Sequence, residues 1–349
     1  MKKSVLVTGA SGALGPLLVA ELLNAGYQVR ALVRQIPETP IFDDAVQVVQ
    51  GEITNRAEVE AAVRGVHLVF HLAAKLHITD PGPDQEASYF RINTYGTELI
   101  AKACEASGVE RLVFFSTIAV YGETRGMEPL TETSPVNADT YYAKSKKQAE
   151  DIVLGARKRG DPASPIGVVL RVAAVYGSRM KGNYRTLFSA IRKGLFFPVG
   201  EGKNRRTLVF EADLVRASLI VARHPADFNQ VFNVTDGAIH TLNEIVTAMY
   251  GAVGKKRPGL FLPVKPLWIA TDLADRAVAL AGVKRPSLKR RVEKYLEDVA
   301  VSGERLKQET GFQAAYTLEQ GFQETVFKWN EAVQGNGRSI DRARRMKGA

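Results

Sequence analysis

The stretch VLVTGASGALG, residues 5–15, constrains the fold more than any other part of this 349-residue chain. A short β-branched run leads into glycines at positions 9, 12 and 15, and residues 16–24 then read as a helix. A strand, a glycine turn and a helix in this order predict a βαβ unit that binds a dinucleotide. In such a unit Gly9 allows the tight turn, Gly12 lets the backbone approach a pyrophosphate, and Gly15 lets helix and strand pack closely. The unpaired N–H groups and positive dipole end of the helix then face the phosphates.

Glycines at this spacing also occur in ordinary tight turns, and it is their position after the first strand that favours a cofactor. The turn residues expected to contact it are Gly9, Ser11, Gly12, Ala13, Leu14 and Gly15. A second turn, behind the fourth predicted strand, has small side chains that leave room for a ribose or a pyrophosphate. Its residues are Leu72, Ala73 and Ala74.

The composition, with 45% hydrophobic and 24% charged residues, is typical of a globular protein. A single cysteine, Cys104, excludes an intramolecular disulfide and a cysteine-cluster metal site and predicts a cytoplasmic protein. His67 and His71 have no third ligand in view, so no metal is expected. No apolar stretch approaches the ~18 residues of a membrane span, so stable membrane insertion is not expected either.

The net charge of +10 sits largely in short runs such as 255–257 and in the residues after Gly335. Such runs are usually solvated faces or chain ends, and these lack the interleaved aromatic residues of a base-stacking surface. No nucleic-acid partner is therefore expected. A basic cleft for an anionic small substrate explains part of the charge.

The second predicted strand, 28–33, ends at Arg34, where an acidic residue would bind the ribose 2′-hydroxyl of NAD. Arginine instead suits the 2′-phosphate of NADP, which it can bind in a bidentate manner. An arginine that is merely exposed at a strand end is the alternative interpretation. The cofactor is therefore predicted as NADP or NAD, with Glu52 and Ile53, after the third strand, lining the adenine site.

The fifth predicted strand, 111–115, leads into Ser116 and Thr117, at the sheet edge where open parallel sheets bind ligands. On the next predicted helix Tyr142 and Lys146 are four residues apart and hence share one face. A tyrosine needs its pKa lowered from ~10 to act as a base near neutrality, and a neighbouring ammonium does this by stabilising the phenolate. Taken alone, such a pair is usually a solvated helix face.

Alternating strands and helices predict an α/β fold, a Rossmann-like doubly wound parallel sheet with a smaller, mainly helical C-terminal substrate-binding domain. The dinucleotide-binding Rossmann domain is predicted over 1–177, with 211–250 returning to it. The substrate-binding domain is predicted to comprise 178–210 and 251–333. Residues 334–349 are predicted to be a basic, disordered tail.

Together these segments resemble the extended short-chain dehydrogenase/reductase family, the NAD-dependent epimerase/dehydratase group, from Val5 to about Trp329. No single motif is specific, whereas their joint occurrence in family order is. The motifs are TGxxGxxG from Thr8, HLAA from His71, NxxGT from Asn93, TxxVYG from Thr117, YxxxK from Tyr142, Arg171 followed by VYG from Val175, and Arg206 seven residues before Asp213.

The resemblance implies a role for each residue near the reacting atoms. Tyr142 would be the general base or acid, Lys146 its pKa modulator and the ribose anchor, and Thr117 the hydroxyl that orients the substrate oxygen. Ser116 would lie near the nicotinamide. In this scheme Tyr142 removes a proton from a sugar hydroxyl while hydride leaves for the nicotinamide.

The resemblance also implies the partners. Asn183 and Arg206 match positions that contact a nucleotide-sugar diphosphate, so a small nucleotide sugar is the expected substrate. A homodimer formed through the helices predicted over 86–107 and 140–159 is the family-level expectation.

Departures from the family pattern narrow the reaction. Sugar 4,6-dehydratases carry an Asp–Glu pair directly after the Thr, whereas Ile118 and Ala119 stand here and cannot exchange a proton. This disfavours a dehydratase and leaves a 4-epimerase or a 4-keto reductase. Arg34 favours a reductase that uses NADP, whereas an epimerase would retain one tightly held NAD. The pattern over 285–298 also resembles hydroxysteroid and sterol dehydrogenases, so an alcohol dehydrogenase of that type is the alternative. A catalytically inactive regulator that senses a dinucleotide is disfavoured, because the Tyr–Lys pair is present.

Overall fold

The computed structural model describes residues 2–76, 82–122, 128–224, 230–280 and 287–331. A seven-stranded sheet, parallel throughout, forms its centre. The strands are β1 (Ser4–Thr8), β2 (Gln28–Val33), β3 (Gln47–Gln50), β4 (Leu68–His71), β5 (Arg111–Thr117), β6 (Gly167–Val172) and β7 (Gln230–Val234). Their order across the sheet is β7–β6–β5–β4–β1–β2–β3.

The central strands β1, β4, β5 and β6 are almost wholly buried, because helices cover both faces of the sheet. Their sequences are accordingly near-continuous runs of Val, Leu and Phe. After β3 the chain crosses back past β1 to form β4, and this reversal places the carboxyl ends of β1 and β4 side by side. The predicted Rossmann-like doubly wound sheet is therefore confirmed, with one strand added beyond the usual six.

Helices account for most of the remaining described chain. They are α1 (Gly15–Asn24), α2 (Arg56–Val63), α3 (Glu86–Tyr89, Phe90–Tyr95 and Gly96–Ser107 in succession), α4 (Tyr141–Gly155), α5 (Gly182–Lys193), α6 (Glu211–Arg223), α7 (Leu242–Ala252), α8 (Val264–Leu280), α9 (Leu288–Leu296), α10 (Glu304–Thr310) and α11 over residues 318–331. The middle stretch of α3 is a π-helical turn, which is wider than the α-helix on either side.

Buried apolar side chains form a layer on each face of the sheet. On one face Leu18 of α1 and Leu214 of α6 pack against β1 and its neighbours. On the other, Val59 of α2, Ile100 of α3 and Val153 of α4 do the same. The sheet is therefore sandwiched between two helical layers, and its carboxyl edge remains for a ligand.

A third apolar cluster lies beyond the sheet, in the mainly helical C-terminal region. Phe188 of α5, residues of α7 and Phe322 of α11 surround Tyr176, whose ring centroid is 4.6 Å from that of Phe322. Two short strand pairs border this cluster: Ala174–Tyr176 with Leu208–Phe210, and Arg205–Arg206 with His240–Thr241. The exact domain boundaries stay a prediction, and the predicted tail over 334–349 lies outside the described residues.

Candidate active site

The glycine turn after β1 is shaped by close backbone contacts. Gly9 has φ +67°, and a Cβ there would lie 2.7 Å from the Ala73 nitrogen. A Cβ on Gly15 would lie 2.0 Å from the Ala10 carbonyl oxygen, so α1 begins directly against the turn. A Cβ on Gly12 would meet only the Gly9 oxygen, at 3.0 Å, which leaves the rest of its surroundings open for a ligand. The backbone geometry thus requires glycine at positions 9 and 15, whereas the close approach of a pyrophosphate to Gly12 stays a prediction.

The start of α1 offers hydrogen-bond donors. Its N-cap residue, Leu14, makes no side-chain cap, so the first N–H groups of the helix remain able to donate to a ligand. The first turn holds no acidic residue, so no carboxylate there neutralises the positive end of the helix dipole. Pro16 at the first turn costs no hydrogen bond there. Ser11 is exposed, and Ala13 is half-buried in the same turn. This turn and helix end fit the pyrophosphate of a dinucleotide.

The opposite side of the turn is formed by the residues after β4. The Thr8 hydroxyl accepts a hydrogen bond from the Ala73 N–H at 3.3 Å, and the Leu72 N–H donates to the Thr8 carbonyl oxygen at 3.3 Å. Leu72, Ala73 and Ala74 are half-buried beside the glycines. The structure therefore brings both predicted turns together at one sheet edge.

The predicted adenosine site lies farther along this edge. Arg34 is exposed directly after β2, and its carbonyl oxygen accepts from Gln50 at 3.2 Å. Glu52 is also exposed, whereas Ile53 is 8% exposed and packs against α3 at Gly96. Arg34 and Glu52 thus follow the adjacent strands β2 and β3 at their carboxyl ends, the same edge of the sheet that carries the glycine turn.

The candidate catalytic hydroxyls meet where β5 ends. Thr117 accepts a hydrogen bond from the Ala119 N–H at 3.2 Å, and its side chain also hydrogen-bonds Tyr142. Tyr142 lies in the first turn of α4, which Thr140 caps by accepting from the Ala143 N–H at 3.1 Å. The pair predicted from two distant segments is therefore in contact.

Lys146 lies one turn farther along α4 and is 2% exposed. Its ammonium is 3.9 Å from the centroid of the Phe114 ring. Burial lowers the pKa of Lys146 from 10.5 to about 7, although the Glu150 carboxylate opposes this shift. The lysine therefore titrates close to neutral pH.

The pKa of Tyr142 is raised in the protein alone, so the stabilisation of a phenolate by Lys146 stays a prediction for the complex with the cofactor. Burial raises the pKa of Tyr142 to about 12, and the Thr117 hydrogen bond offsets this only in part. Since Lys146 is itself only partly charged at neutral pH, it offers the phenolate less stabilisation than a solvated ammonium would. Tyr142 is therefore a protonated phenol in the protein alone.

A buried ion pair below Lys146 was not predicted. Arg171 of β6 donates to both carboxylate oxygens of Glu150, with Nη2 to Oε2 at 2.8 Å. The Ser116 hydroxyl donates to the same carboxylate at 2.5 Å, so this predicted nicotinamide neighbour is 5% exposed and held by Glu150. The four-residue spacing of Lys146 and Glu150 indicates that this carboxylate lies near the lysine, whereas no local sequence signal indicates its pair with Arg171.

A second buried network centres on His71. Its Nδ1 lies 2.6 Å from the Thr8 hydroxyl and its Nε2 lies 3.0 Å from the Thr97 hydroxyl. Because the Thr97 hydroxyl donates to the Asn93 carbonyl at 2.6 Å, it can only accept from Nε2–H. His71 is thus the neutral Nε2–H tautomer, and burial, helped by the Lys146 charge, lowers its pKa to about 3.

Asn93, within the π-helical turn of α3, continues this network to α4. Its Nδ2 donates to the Ser145 hydroxyl at 3.0 Å, and its Oδ1 accepts from the Lys75 N–H at 2.7 Å. Ser145 in turn donates to the carbonyl of Tyr142 at 2.8 Å. The cofactor turn and the tyrosine helix are therefore joined through buried hydrogen bonds.

The predicted substrate residues lie in the C-terminal region. Arg206 is 8% exposed, and its guanidinium donates to the carbonyls of Lys294 and Tyr295 at 2.6 and 3.1 Å. Asn183 is exposed in the first turn of α5, next to Tyr184, on which the Arg206 charge acts. These residues belong to one neighbourhood, although the Arg206 guanidinium is partly committed to backbone carbonyls.

Comparison with known proteins agrees with this architecture. The model of the "NAD dependent epimerase/dehydratase family" matches residues 5–235. UDP-glucose 4-epimerase of Vibrio cholerae is 31% identical over 334 residues, 93% of this chain and 95% of the relative. N-acetyl-alpha-D-glucosaminyl-diphospho-ditrans,octacis-undecaprenol 4-epimerase of Escherichia coli O157:H7 is 27% identical over 93% of this chain and 95% of its own length.

Among solved structures, MoeE5 in complex with UDP-glucose and NAD is 25% identical, covers 95% of this chain and 99% of its own, and superposes with a TM-score of 0.74. The family match confirms the predicted resemblance and, with it, an enzyme that depends on a nicotinamide dinucleotide. The glycine turn and the parallel sheet agree with these matches, which extend over most of the chain. This chain belongs to the NAD-dependent epimerase/dehydratase family.

Proposed function

We propose that this chain is a 4-epimerase of nucleotide-diphosphate sugars that retains NAD, with Tyr142, Thr117 and Lys146 as its catalytic residues. The contact between the Thr117 and Tyr142 hydroxyls at the end of β5, one turn from buried Lys146, carries this proposal. The similarity to UDP-glucose 4-epimerase over 93% of the chain supports the substrate class. Asn183 and Arg206 are proposed to contact the sugar diphosphate.

The bound nicotinamide would supply the acceptor and donor of the hydride at the sugar carbon. Tyr142 would exchange the proton of the sugar hydroxyl, and Thr117 would hold both oxygens in line through its hydrogen bond to Tyr142. Because the pKa of Tyr142 is raised to about 12, its phenol is ready to donate when a ketone is reduced. To act as a base it needs further positive charge, which Lys146 supplies once protonated.

The residues that follow Thr117 disfavour a water elimination. Ile118 and Ala119 form the short turn after β5, where an acid–base pair would be needed. Neither side chain can carry a proton. A 4,6-dehydratase is therefore not proposed.

The test of the catalytic assignment is Tyr142→Phe, with Tyr141→Phe as the matched control on the same helix. We expect the interconversion of UDP-glucose and UDP-galactose to slow by about 10²–10⁴-fold in Tyr142→Phe, since its proton relay is lost. The control should keep the wild-type rate, and both variants should retain bound cofactor. Turnover of Tyr142→Phe within a factor of three of the wild type would contradict the assignment.

A second candidate, a 4-keto reductase that uses NADPH, is favoured by one observation, the exposed Arg34 at the end of β2. The two candidates differ in the fate of the hydrogen at the sugar carbon. An epimerase returns a deuterium placed at C4 of UDP-glucose to the product and consumes no added nicotinamide. A reductase acts on a 4-keto sugar nucleotide, which has no hydrogen at C4, and takes the new hydrogen from NADPH. Transfer of deuterium from deuterated NADPH to C4 of that ketone, with one NADPH oxidised per ketone reduced and no interconversion of UDP-glucose and UDP-galactose, would establish the reductase instead.

A further inference from the structure

An exposed apolar surface lies on the C-terminal region, far from the glycine turn in sequence. Nine large hydrophobic side chains on two segments, 195–197 and 260–280, are between 40% and 91% exposed. We call this surface the apolar patch. Its members are Leu195, Phe197, Leu260, Phe261, Leu262, Trp268, Ile269, Leu273 and Leu280.

The two segments of the patch are held side by side by backbone hydrogen bonds. The Leu262 N–H donates to the Pro198 carbonyl at 2.8 Å, and the Gly200 N–H donates to the Leu262 carbonyl at 2.9 Å. The Tyr250 hydroxyl also donates to the Phe196 carbonyl at 3.0 Å. The exposed side chains of 195–197 and 260–262 therefore lie on neighbouring chain segments and are not scattered single residues, which would need no explanation.

Helix α8 extends this surface with one outward face. At 3.6 residues per turn, Ile269, Leu273 and Leu280 lie within about 40° of one another around the helix. Lys265 and Arg276 fall on the same face, and both are exposed. The face is thus an apolar stripe with two cations along one edge, and such long basic side chains can reach headgroups while the apolar side chains enter a membrane interface.

The two acidic residues of α8 both bond α9, and one of them also bonds the outward face. Asp275 accepts from the Ser287 hydroxyl at 2.6 Å and from the Leu288 N–H at 2.9 Å, which fastens α8 to the start of α9. Asp272 bonds Lys289 at 2.9 Å and pairs with Arg276 of the outward face at 2.9 Å, and its side chain is 22% exposed. The apolar side chains of that face therefore adjoin one ion pair, and Lys265 adds a further cation.

The charge around the patch is strongly positive. Residues 192–197 and 255–280 contain seven Lys or Arg side chains and two Asp. Lys255 donates to the Arg192 carbonyl at 2.6 Å, which places the Lys255 ammonium beside the segment that carries Leu195 and Phe197. An apolar surface with a basic rim is complementary to a bilayer that contains anionic lipids, because the rim attracts headgroups while the patch enters the interface.

We propose that the apolar patch docks the protein peripherally on an anionic lipid bilayer. No described helix is both long and apolar enough to cross a membrane, so the contact is with one leaflet. The Arg206 guanidinium binds carbonyls at the end of α9, the helix that packs on α8, so the docked region is the one that carries the candidate substrate residues. The bilayer contact is independent of which reaction the active site performs.

Flotation of the full-length protein with vesicles tests this. We compare vesicles of phosphatidylcholine alone with vesicles that also contain ~30% phosphatidylglycerol, at low and at high salt. We expect at least about tenfold stronger binding to the anionic vesicles, and loss of most of this difference in 0.5 M salt because exposed charges are then screened.

Variants locate the contact. Leu260→Asp, Phe261→Asp and Leu273→Asp together should reduce binding to anionic vesicles by at least about tenfold. Phe327→Asp is the matched control, since Phe327 is 57% exposed but lies on α11, outside the patch. Epimerase or reductase activity on a water-soluble sugar nucleotide should be unchanged in all of them, which shows that they fold.

Three results would overturn the proposal: no binding to either kind of vesicle, equal binding to both, or binding that survives the three substitutions in the patch. Sedimentation velocity of the same variants adds a fourth. If the wild type is an oligomer and the patch variants are monomers that bind vesicles no differently, the patch is an interface between copies of this chain.

Discussion

The buried His71 should make the stability of the protein depend on pH in a way that one substitution removes. Its side chain is 0% exposed, and burial together with the Lys146 charge lowers its pKa from 6.5 to about 3. Below pH 6.5 the unfolded chain binds a proton at this histidine, whereas the folded protein does not until about pH 3. The neutral imidazole of His71 therefore makes its full contribution to the free energy of unfolding above pH 6.5, and this contribution is lost as the pH falls from 6.5 towards 3.

The magnitude follows from the two pKa values. Acidification below pH 6.5 favours the unfolded chain by about 1.4 kcal/mol per pH unit at this site, which gives about 2 kcal/mol between pH 7.5 and pH 5.0. His71→Gln cannot gain this proton. Urea unfolding at the two pH values should therefore show that the wild type loses about 2 kcal/mol more than His71→Gln, whatever the absolute stability of the variant.

The control is His67→Gln, because His67 is half-buried at the outer end of β4 and bonds the Ser4 hydroxyl. It should show the same loss as the wild type. Equal losses in wild type and His71→Gln would refute the reasoning, since they would mean that His71 binds its proton equally well in the folded protein. The C2–H proton resonance of His71 should also stay at the neutral-imidazole position down to pH 5.

Three further predictions concern separate parts of the site. Gly15→Ala should destabilise the protein by about 3 kcal/mol or more in urea unfolding, because the new Cβ would lie 2.0 Å from the Ala10 oxygen. Its control is Gly155→Ala, whose new Cβ would have no atom within 4 Å and which should be neutral or stabilising. Glu150→Gln should cost about 3 kcal/mol by leaving a buried guanidinium without its carboxylate, and it should move any lysine-dependent limb of the pH–rate profile to lower pH, because the Glu150 charge raises the pKa of the lysine one turn away. Arg34→Gln should weaken binding of NADP by about tenfold in calorimetric titration and leave NAD binding nearly unchanged if this side chain contacts the 2′-phosphate; equal effects on both would contradict that contact.

Most of the sheet follows from local sequence. The central strands are short runs rich in β-branched, leucine and phenylalanine residues, and β1, β4 and β5 end at a polar residue. Strand β1 and its glycine turn depend only on residues within the first fifteen positions. Tyr142 and Lys146 share a face because their spacing is helical. These features are predictable because each depends on near neighbours.

Features that depend on distant segments were not predicted. The raised pKa of Tyr142 comes from burial by residues from other elements, including Tyr89, whose ring centroid is 6.3 Å away. The ion pair between Glu150 and Arg171 joins α4 to β6, and nothing local requires it. The π-helical turn around Asn93 likewise reflects contacts with α4 and the Lys75 backbone, which helix propensity does not encode.

The buried hydrogen bonds from Thr8 through His71 to Asn93 and Ser145 have a consequence for motion. They join β1, β4, α3 and α4 through side chains that are at most 1% exposed, so we expect no hinge between the cofactor turn and Tyr142. We therefore expect opening and closing around a sugar, which typically takes microseconds to milliseconds, to occur in the C-terminal region. The C-terminal region would then close over a substrate that rests on a rigid sheet edge and α4. Relaxation measurements should find slow exchange in α5 and α8 but not in α4.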